Sequence, residues 1–464
     1  MTEAPSGAGA AAPTEVVTCF LRHRGDVLLV RRSARVGTYR GRWGGVAGHA
    51  ETDDPLEDAW REIAEETGLQ DAATLVKRGE PFTFQDEGEG RRWRVHPFLF
   101  DVANRDARLD WEAVEGAWVP PTAILERDCV PRLWTSYARV APTLEDVRDD
   151  REHGSAYLSL RALEVLRDRA AALGAGVEVP RGGGGSAATS TRRAWIELAR
   201  SLAASQPAMT ALHNRVDEAM TAALEGAGDA PPQSVDLAQR VQAAAHEALR
   251  AALSAEDGTV AGSARRVAGQ TVLTLSLSGT VAQALLAADP PPARVIVCES
   301  RPGGEGWRLA SRLAARAIDT MLVPDAAVAW ALERFAVDVV FVGADTVLPD
   351  GSVVNKVGTR PVALAAHAAG VPVLAAAARA KIAAEGGAWT AAGEGVAAED
   401  TSPAPEGAGG RAAAVNAAAA WRSPLFERTP AELIDGILTE DGVLGADEVR
   451  AVAALHAARR SRVG

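Results

Sequence analysis

Between residues 270 and 378 the chain carries five short apolar runs, TVLTLSLS, ARVIVCES, DTMLVP, VDVVFVGAD and VPVLAAAA, each parted from the next by a stretch of helical character. Buried-strand runs of this length alternating with helices indicate βαβ units and a parallel sheet. The preceding stretch, 193–255, is rich in Ala and Leu and helical by period. The first 150 residues follow another pattern: β-type runs at Val16–Leu21, Val27–Val30, Val95–Val102 and Ala117–Val119 surround a charged helical stretch at Leu56–Thr67. Between the two patterns, residues 175–192 read GAGVEVPRGGGGSAATST, a flexible-linker composition. The fold class expected is α/β, with a tail at 1–14, a first domain at 15–174, a linker at 175–192 and a second domain at 193–464, helical over 193–265. The stretch 391–411, rich in Gly, Pro and Ala, reads as a surface loop or an insertion.

Charge and composition narrow the function. A formal net charge of −12 removes the attraction a phosphate backbone exerts on basic proteins, so no nucleic acid is expected as main partner. Cys19, Cys129 and Cys298 lie too far apart for the close Cys/His spacing of a zinc site and suit a reducing, cytoplasmic setting. The weakly charged run from Val362 to Ala378 contains His367, Gly370 and Pro372 and makes a poor spanning helix; no membrane segment is expected. The N-terminus lacks a basic region followed by an apolar one. Of 49 basic residues only Lys77, Lys356 and Lys381 are lysines, which draws attention to where they fall.

The strongest chemical signal is GHAETDDPLEDAWREIAEETGL, residues 48–69. Residues three and four apart share a helix face, so Glu62, Glu65 and Glu66 project together. Crowded carboxylates repel unless a cation sits among them, and hard oxygen ligands suit Mg²⁺ or Mn²⁺. Pro55 fits the helix start and Gly68 its end. Asp86 and Glu87, in QDEGEG, read as a solvated hairpin turn rather than further ligands. The string R-E-hydrophobic-x-E-E-x-G-hydrophobic resembles the second half of the Nudix box, and LLVRRS, RGRWGGVAGH, VHPFLFDV and EGAWVPPTAI look like further elements of that family. The resemblance implies an α/β/α sandwich that hydrolyses a nucleoside diphosphate linked to another moiety. It makes Glu62, Glu65 and Glu66 metal ligands, Glu65 a catalytic residue, and Arg61 a brace paired with an acidic residue. The first half of the box departs from the family: either Ala47 and Asp53 replace its glycine and glutamate, or one residue is missing after Gly48 and Asp54.

In the second half, CESRPGGEGWRLASRLA and VFVGADTVLPDGSVVNKVGT place polar residues and glycine just beyond strand ends, where open α/β sheets bind ligands. Asn355, Lys356, Gly358 and Thr359 are expected to form the head of a helix whose amides favour an anion. The E-S-R-P, G-A-D and N-K-x-G-T strings resemble the superfamily of methylthioribose-1-phosphate isomerase, ribose-1,5-bisphosphate isomerase and the regulatory initiation factor 2B subunits. That resemblance implies a helical subdomain, a Rossmann-like part over 266–464, a homodimer through this domain, and a sugar-phosphate or nucleotide ligand held by Ser276, Arg301, Asp345, Asn355 and Lys356. Asp345 matches the isomerases' aspartate, whereas Ser276 stands where they have cysteine. A hydroxyl is a far weaker acid than a thiol, so binding is favoured over isomerisation. Cys298 reads as a small buried hydrophobe. The expected whole is a hydrolase acting on a nucleotide or nucleotide-sugar substrate, joined to a phosphorylated-ligand-binding domain. Its alternatives are aldose–ketose sugar-phosphate isomerisation in the second half, or a non-catalytic binding and assembly protein.

Overall fold

The computed structural model describes residues 12–150, 153–180, 191–225, 234–385 and 424–463. The tail as far as residue 11, the glycine run of the 175–192 segment and all of 391–411 lie outside the described residues. Contacts divide the chain into two compact units, the first made of 1–149, 164–195 and 227–246, the second of 150–163, 196–226 and 247–464.

In the first unit an eight-stranded mixed sheet carries the order β3-β2-β1-β7-β5, with β4 on β1, β6 on β7 and β8 on β2. The strands are β1 Thr14–His23, β2 Asp26–Arg32, β3 Trp43–Gly44, β4 Val46–His49, β5 Ala73–Arg78, β6 Phe82–Asp86, β7 Arg91–Val102 and β8 Ala113–Val119. Its central pair, β1 and β7, runs parallel. Side chains along a strand alternate between faces, and two cores result. Val17, Cys19, Leu21, Phe98 and Phe100 pack on one face with Ala59 and Ile63 of helix α1, Pro55–Thr67. Phe20, Leu29 and Leu99 pack on the other with Leu133, Trp134 and Tyr137 of α2, Leu133–Ala138. The α/β/α sandwich expected from the sequence is present. Asp54 caps α1 by accepting from Leu56 N–H, Pro55 opens it, and Gly68 ends it at φ 66°, a conformation that suits glycine. The first unit also contains α3, Leu144–Asp149, and the C-terminal half of α4, Ser155–Ala175.

The described residues between 191 and 267 are mostly helical, as the composition predicts: α5 Arg192–Ser205, α6 Thr210–Leu224 and α7 Ser234–Val267. In the second unit a seven-stranded sheet follows, in the order β11-β10-β9-β12-β15-β17-β18. These are β9 Thr271–Leu275, β10 Arg294–Cys298, β11 Thr320–Val323, β12 Val339–Gly343, β15 Val373–Ala376, β17 Gly436–Thr439 and β18 Gly442–Leu444. All neighbours are parallel except β17 and β18. Intervening helices are α8 Gly279–Ala287, α9 Glu305–Ala314, α10 Val328–Arg334 and α11 Thr359–Ala369, and α12, Ala446–Val463, closes the unit. A small sheet of β13 Thr346–Val347, β14 Val353–Lys356 and β16 Phe426–Thr429 stands beside it. Again two cores alternate: Leu273, Ile296, Val340 and Val342 face one way, Val272, Val295, Val339 and Phe341 the other. The order runs outward from β9 in one direction, then jumps to β12 and continues in the other. The crevice at the carboxyl ends of β9 and β12 is therefore the switch point at which such sheets take ligands. Among the described residues no helix is long and apolar enough to cross a membrane.

Candidate active and ligand-binding sites

Helix α1 presents its three glutamates to different surroundings. Glu66 is buried and its Oε1 accepts from Ala47 N–H at 3.1 Å; Glu62 is partly buried and meets Arg61 Nη2 at 3.1 Å; Glu65 is exposed. They share a helix face without a common focus. Among the described residues no group of three His, Cys, Asp or Glu side chains is drawn together as a metal cage. The carboxylates nevertheless press on one another. Burial, with the fields of Glu62, Glu112 and Asp110, lifts the Glu66 pKa to about 8 against the pull of Ala47 N–H. Burial also raises Glu62, with Glu65 and Glu112 adding to the effect, although Arg61 opposes it. Such a donor set, all hard oxygens and short of positive charge, fits a divalent cation. Asp110 and Glu112, not Asp86 and Glu87, are the acids that turn toward this face. Asp86 accepts from the Tyr39 hydroxyl at 2.6 Å and from Gly88 N–H at 2.8 Å, an ordinary turn role.

The loop before α1 is held by a residue the motif did not mark. Asp58, 0% exposed, accepts from Glu51 N–H (3.1 Å), Thr52 N–H (3.0 Å), the Thr52 hydroxyl (2.9 Å) and Arg61 Nη1 (2.6 Å). Burial alone would raise its pKa, but Thr52 and Arg61 outweigh that and hold it below the ordinary carboxylate range. Arg61 Nη2 also reaches the His49 carbonyl at 3.1 Å. The acidic partner of Arg61 is thus Asp58 on the same helix, while Asp54 is spent on the cap and on Arg78 at 3.0 Å. Gly48 lies flat under Glu62: a Cβ there would stand 2.0 Å from the Glu62 carboxyl carbon, so a larger residue would push that carboxylate away.

In the second unit Ser276 follows β9, Ser300 and Arg301 follow β10, and Asp345 follows β12. Ser276 and Ser300, each following its strand, sit at φ 62° and 64° in the left-handed region that L residues seldom adopt. The Ser300 and Arg301 N–H groups donate to Asp325 at 2.8 and 2.7 Å, which fixes the turn, and Arg301 Nε meets Glu299 at 3.3 Å. Asp345 is partly buried; burial raises its pKa and the fields of Lys381 and Lys356 draw it back. Lys381 Nζ donates to the Ala344 carbonyl at 2.6 Å, so Lys381, one residue in a turn beyond β15, belongs with Asp345 as much as Lys356 does.

The N-K-x-G-T string departs from expectation. Asn355 and Lys356 end a strand, β14, and helix α11 begins only at Thr359, with Gly358 before it at φ 101°. The amides at the helix head are already occupied by the chain's own Glu427, which accepts from Gly358 N–H at 2.7 Å and Arg360 N–H at 3.0 Å. Asn355 Nδ2 donates to the Thr359 hydroxyl at 3.0 Å, bracing the turn. Lys356 Nζ instead meets Glu305 Oε1 at 2.9 Å and lies 4.8 Å from the Phe426 ring centre. The other oxygen of Glu305 is buried with no hydrogen-bond partner among the described residues. Cys298 is 1% exposed in the core, and burial lifts its pKa to about 12, which leaves it inert as a nucleophile.

A mixed sandwich with an acidic helix, followed by helices and a parallel sheet with polar residues at its switch point, defines a two-part α/β protein. The chain belongs to the Initiation factor 2 subunit family, whose model matches residues 151–446, and it carries a NUDIX domain over residues 12–140. The NUDIX domain indicates a hydrolase. A methylthioribose-1-phosphate isomerase of Xylella fastidiosa is 32% identical over 253 residues, 48% of this chain and 70% of that protein. The ribose 1,5-bisphosphate isomerase of Methanocaldococcus jannaschii is 32% identical over 213 residues, covering 44% and 65%. Against a methylthioribose-1-phosphate isomerase of Stenotrophomonas maltophilia the identity is 37%, with 33% of this chain and only 42% of that protein covered. The chain spans less than half the length of several curated relatives it matches. Among solved structures, the tetrameric eIF2B-beta2-delta2 complex from C. thermophilum aligns with a TM-score of 0.51 at 18% identity, over 70% of this chain and 99% of that one, a likeness of fold.

Proposed function

We propose that the first unit is a Mg²⁺- or Mn²⁺-dependent hydrolase of a nucleoside diphosphate linked to another moiety, a nucleotide sugar or dinucleotide. The observation that carries this reading is the Glu66 carboxyl lifted to about 8 by burial and by the surrounding Glu62, Glu112 and Asp110. Glu62, Glu65 and Glu66 would hold the cation, which when bound neutralises diphosphate oxygens and lowers the pKa of water. The chain's own residues supply the rest. Asp58 and Arg61 fix the loop 48–52, so that the Ala47 N–H holds Glu66 in place. Glu65, exposed on the same helix, is the group placed to take a proton from attacking water. Incubating the protein with Mg²⁺ and a panel of dinucleotides and nucleotide sugars should release a monophosphate; no turnover with or without Mn²⁺ across the panel would reject the reading.

For the second unit we propose binding of a sugar phosphate or nucleotide at the β9–β12 switch point, with Asp345, Lys356 and Ser276 lining it, Arg301 at its rim and Asn355 bracing the turn that carries Lys356. Isomerisation is the second reading, supported by the isomerase relatives. Against it, the Ser276 hydroxyl has no hydrogen-bond partner among the described residues to serve as its base. Following candidate aldose phosphates by NMR separates the two, since only isomerisation yields a ketose. The three cysteines are unpaired, in keeping with a cytoplasmic setting, and a homodimer through the second unit is expected on sizing.

A further inference from the structure

Among the large apolar side chains described in the first unit, Trp111 and Val114 are the most exposed, at 56% and 63%. Other tryptophans of that unit have company: Trp60 meets the Phe100 ring, Trp134 meets Tyr137, Trp43 lies under Arg127, and Trp118 packs with His23 and Arg105. The Trp111 indole has no ring, cation or hydrogen-bond partner among the described residues. An indole carries a wide apolar surface, and leaving it in water forgoes what covering it would gain.

The stretch that carries Trp111 is tied down on both sides. Arg108 N–H donates to the carbonyl of Thr67, the residue after Glu66 on α1, at 2.9 Å, and the Glu112 carbonyl accepts from Ser33 N–H at 2.6 Å. Leu109 and Ala113 turn inward onto the core that also holds Ala59 and Ile63 of α1. Glu112 N–H donates to Asp110 Oδ1 at 2.9 Å, closing a turn with Trp111 at its middle. Trp111 thus stands against the C-terminal end of α1, between the two acids whose fields reach Glu66.

These surroundings narrow what would cover it. Asp110, Glu112, Glu62 and Glu66 make the neighbourhood acidic, so an acidic partner is disfavoured and a diphosphate comes only with the cation on α1. The part of such a substrate that suits an indole is its base, which is flat and uncharged. An indole takes a base by its stacked face rather than by its hydrogen-bonding edges, so a two-ring purine gains more than a one-ring pyrimidine.

We propose that Trp111 is the residue on which the substrate's nucleobase stacks, and that it makes the site prefer purine over pyrimidine nucleotides. The proposal rests on the hydrolase reading of the first unit and adds to it the residue that selects the nucleoside end.

The test uses the full chain with Mg²⁺ and three ligands whose methylene bridge resists cleavage: the α,β-methylene diphosphates of adenosine and of uridine, and methylenediphosphonate, which has no base. Each is titrated by calorimetry. The parent should bind the adenosine compound more tightly than the uridine one. Trp111→Ala should weaken the adenosine compound at least about tenfold, within the range for one stacked base, and close the gap between the two bases, while methylenediphosphonate binds as before. Trp111→Phe, which keeps a ring, should restore most of the loss. With a purine nucleotide sugar as substrate, Trp111→Ala should raise KM far more than it lowers kcat. Unchanged affinity for the adenosine compound in Trp111→Ala, an equal loss for methylenediphosphonate, or no binding of the adenosine compound by the parent would each overturn the proposal. The hydrolase reading fails separately, if the parent turns over no nucleotide sugar or dinucleotide; binding of the adenosine compound that depends on Trp111 would then still assign the base to the indole.

Discussion

The acidic face of α1 and the switch point of the parallel sheet deal with charge in opposite ways. On α1 carboxylates meet carboxylates: Glu66 feels Glu62, Glu112 and Asp110, and its hydrogen-bond partner among the described residues is one amide. Beyond the strand ends of the second unit charges come ready paired, Lys356 with Glu305, Arg301 with Glu299, and the helix head with Glu427. A site of the first kind gains by taking up a cation. A site of the second kind binds an anion only by exchanging one of its own carboxylates for it, so its affinity for any single phosphate is modest.

The largest break in that contrast should come from Glu66→Gln. Removing the carboxylate that crowding has destabilised should cost roughly 10²–10⁴-fold in hydrolysis of a good substrate, measured by steady-state release of monophosphate, with the fold intact. The same residue gives a pH signature. Its folded pKa, about 8, stands above the value near 4.5 of an unperturbed glutamate. The folded state therefore holds the proton longer than the unfolded one, and this contribution to stability is whole below about pH 4.5. It is lost as pH rises toward 8. Thermal unfolding of the metal-free protein should show a decline over that window that Glu66→Gln lacks; parallel curves would mean that the carboxylates do not crowd one another.

Asp58→Ala should come next. It strips the 48–52 loop of three hydrogen bonds and leaves Arg61 without its buried partner. A loss of roughly 3 kcal/mol in stability, the scale for buried polar groups left unmet, should appear in urea titrations at neutral pH. Because the folded Asp58 pKa is lowered, its contribution is present above about pH 4 and fades as pH falls through the depressed value, so wild type and Asp58→Ala should converge in acid. Hydrolysis should fall with it through a lower kcat rather than a higher KM, since the loop positions Glu66.

These two residues also show what a sequence discloses and what it withholds. The β-type runs at Val16–Leu21 and Val95–Val102 and the apolar runs over 270–378 mark strands that the fold contains, and Pro55 and Gly68 mark both ends of α1. Spacing along one helix named Glu62, Glu65 and Glu66. Asp58 escaped notice because it is unremarkable among neighbouring acids until the chain folds back and aims two amides at it. Asp110 and Glu112 escaped because they reach α1 across more than forty residues of chain. Lys381 stands in sequence simply beyond a strand; only the parallel pairing of β12 with β15 brings it beside Asp345. The reading of Asn355 to Thr359 as one helix head failed for the same reason, since the pairing of β14 with β16 is non-local.

On the paired side of the comparison, Lys356→Met should weaken a sugar phosphate about tenfold, near 1.4 kcal/mol, by calorimetry. The effect is smaller than a lone buried charge would give, because Glu305 already shares that ammonium. Lys356→Arg tests whether a compact charge is required: a planar fork cannot occupy the same place between Glu305 and Phe426. Unchanged affinity in both variants would remove Lys356 from the site.

The smallest expected effect concerns Ser276. Its φ of 62° is strained for serine and free for glycine, so Ser276→Gly should stabilise the metal-free, ligand-free protein by less than about 1 kcal/mol, visible as a small rise in the urea midpoint. The gain is bounded because glycine also loosens the unfolded chain. Should the hydroxyl contact a ligand at the switch point, the same variant must lose affinity while gaining stability. Opposite signs from one substitution separate a residue held in strain for binding from one held there by the sheet alone.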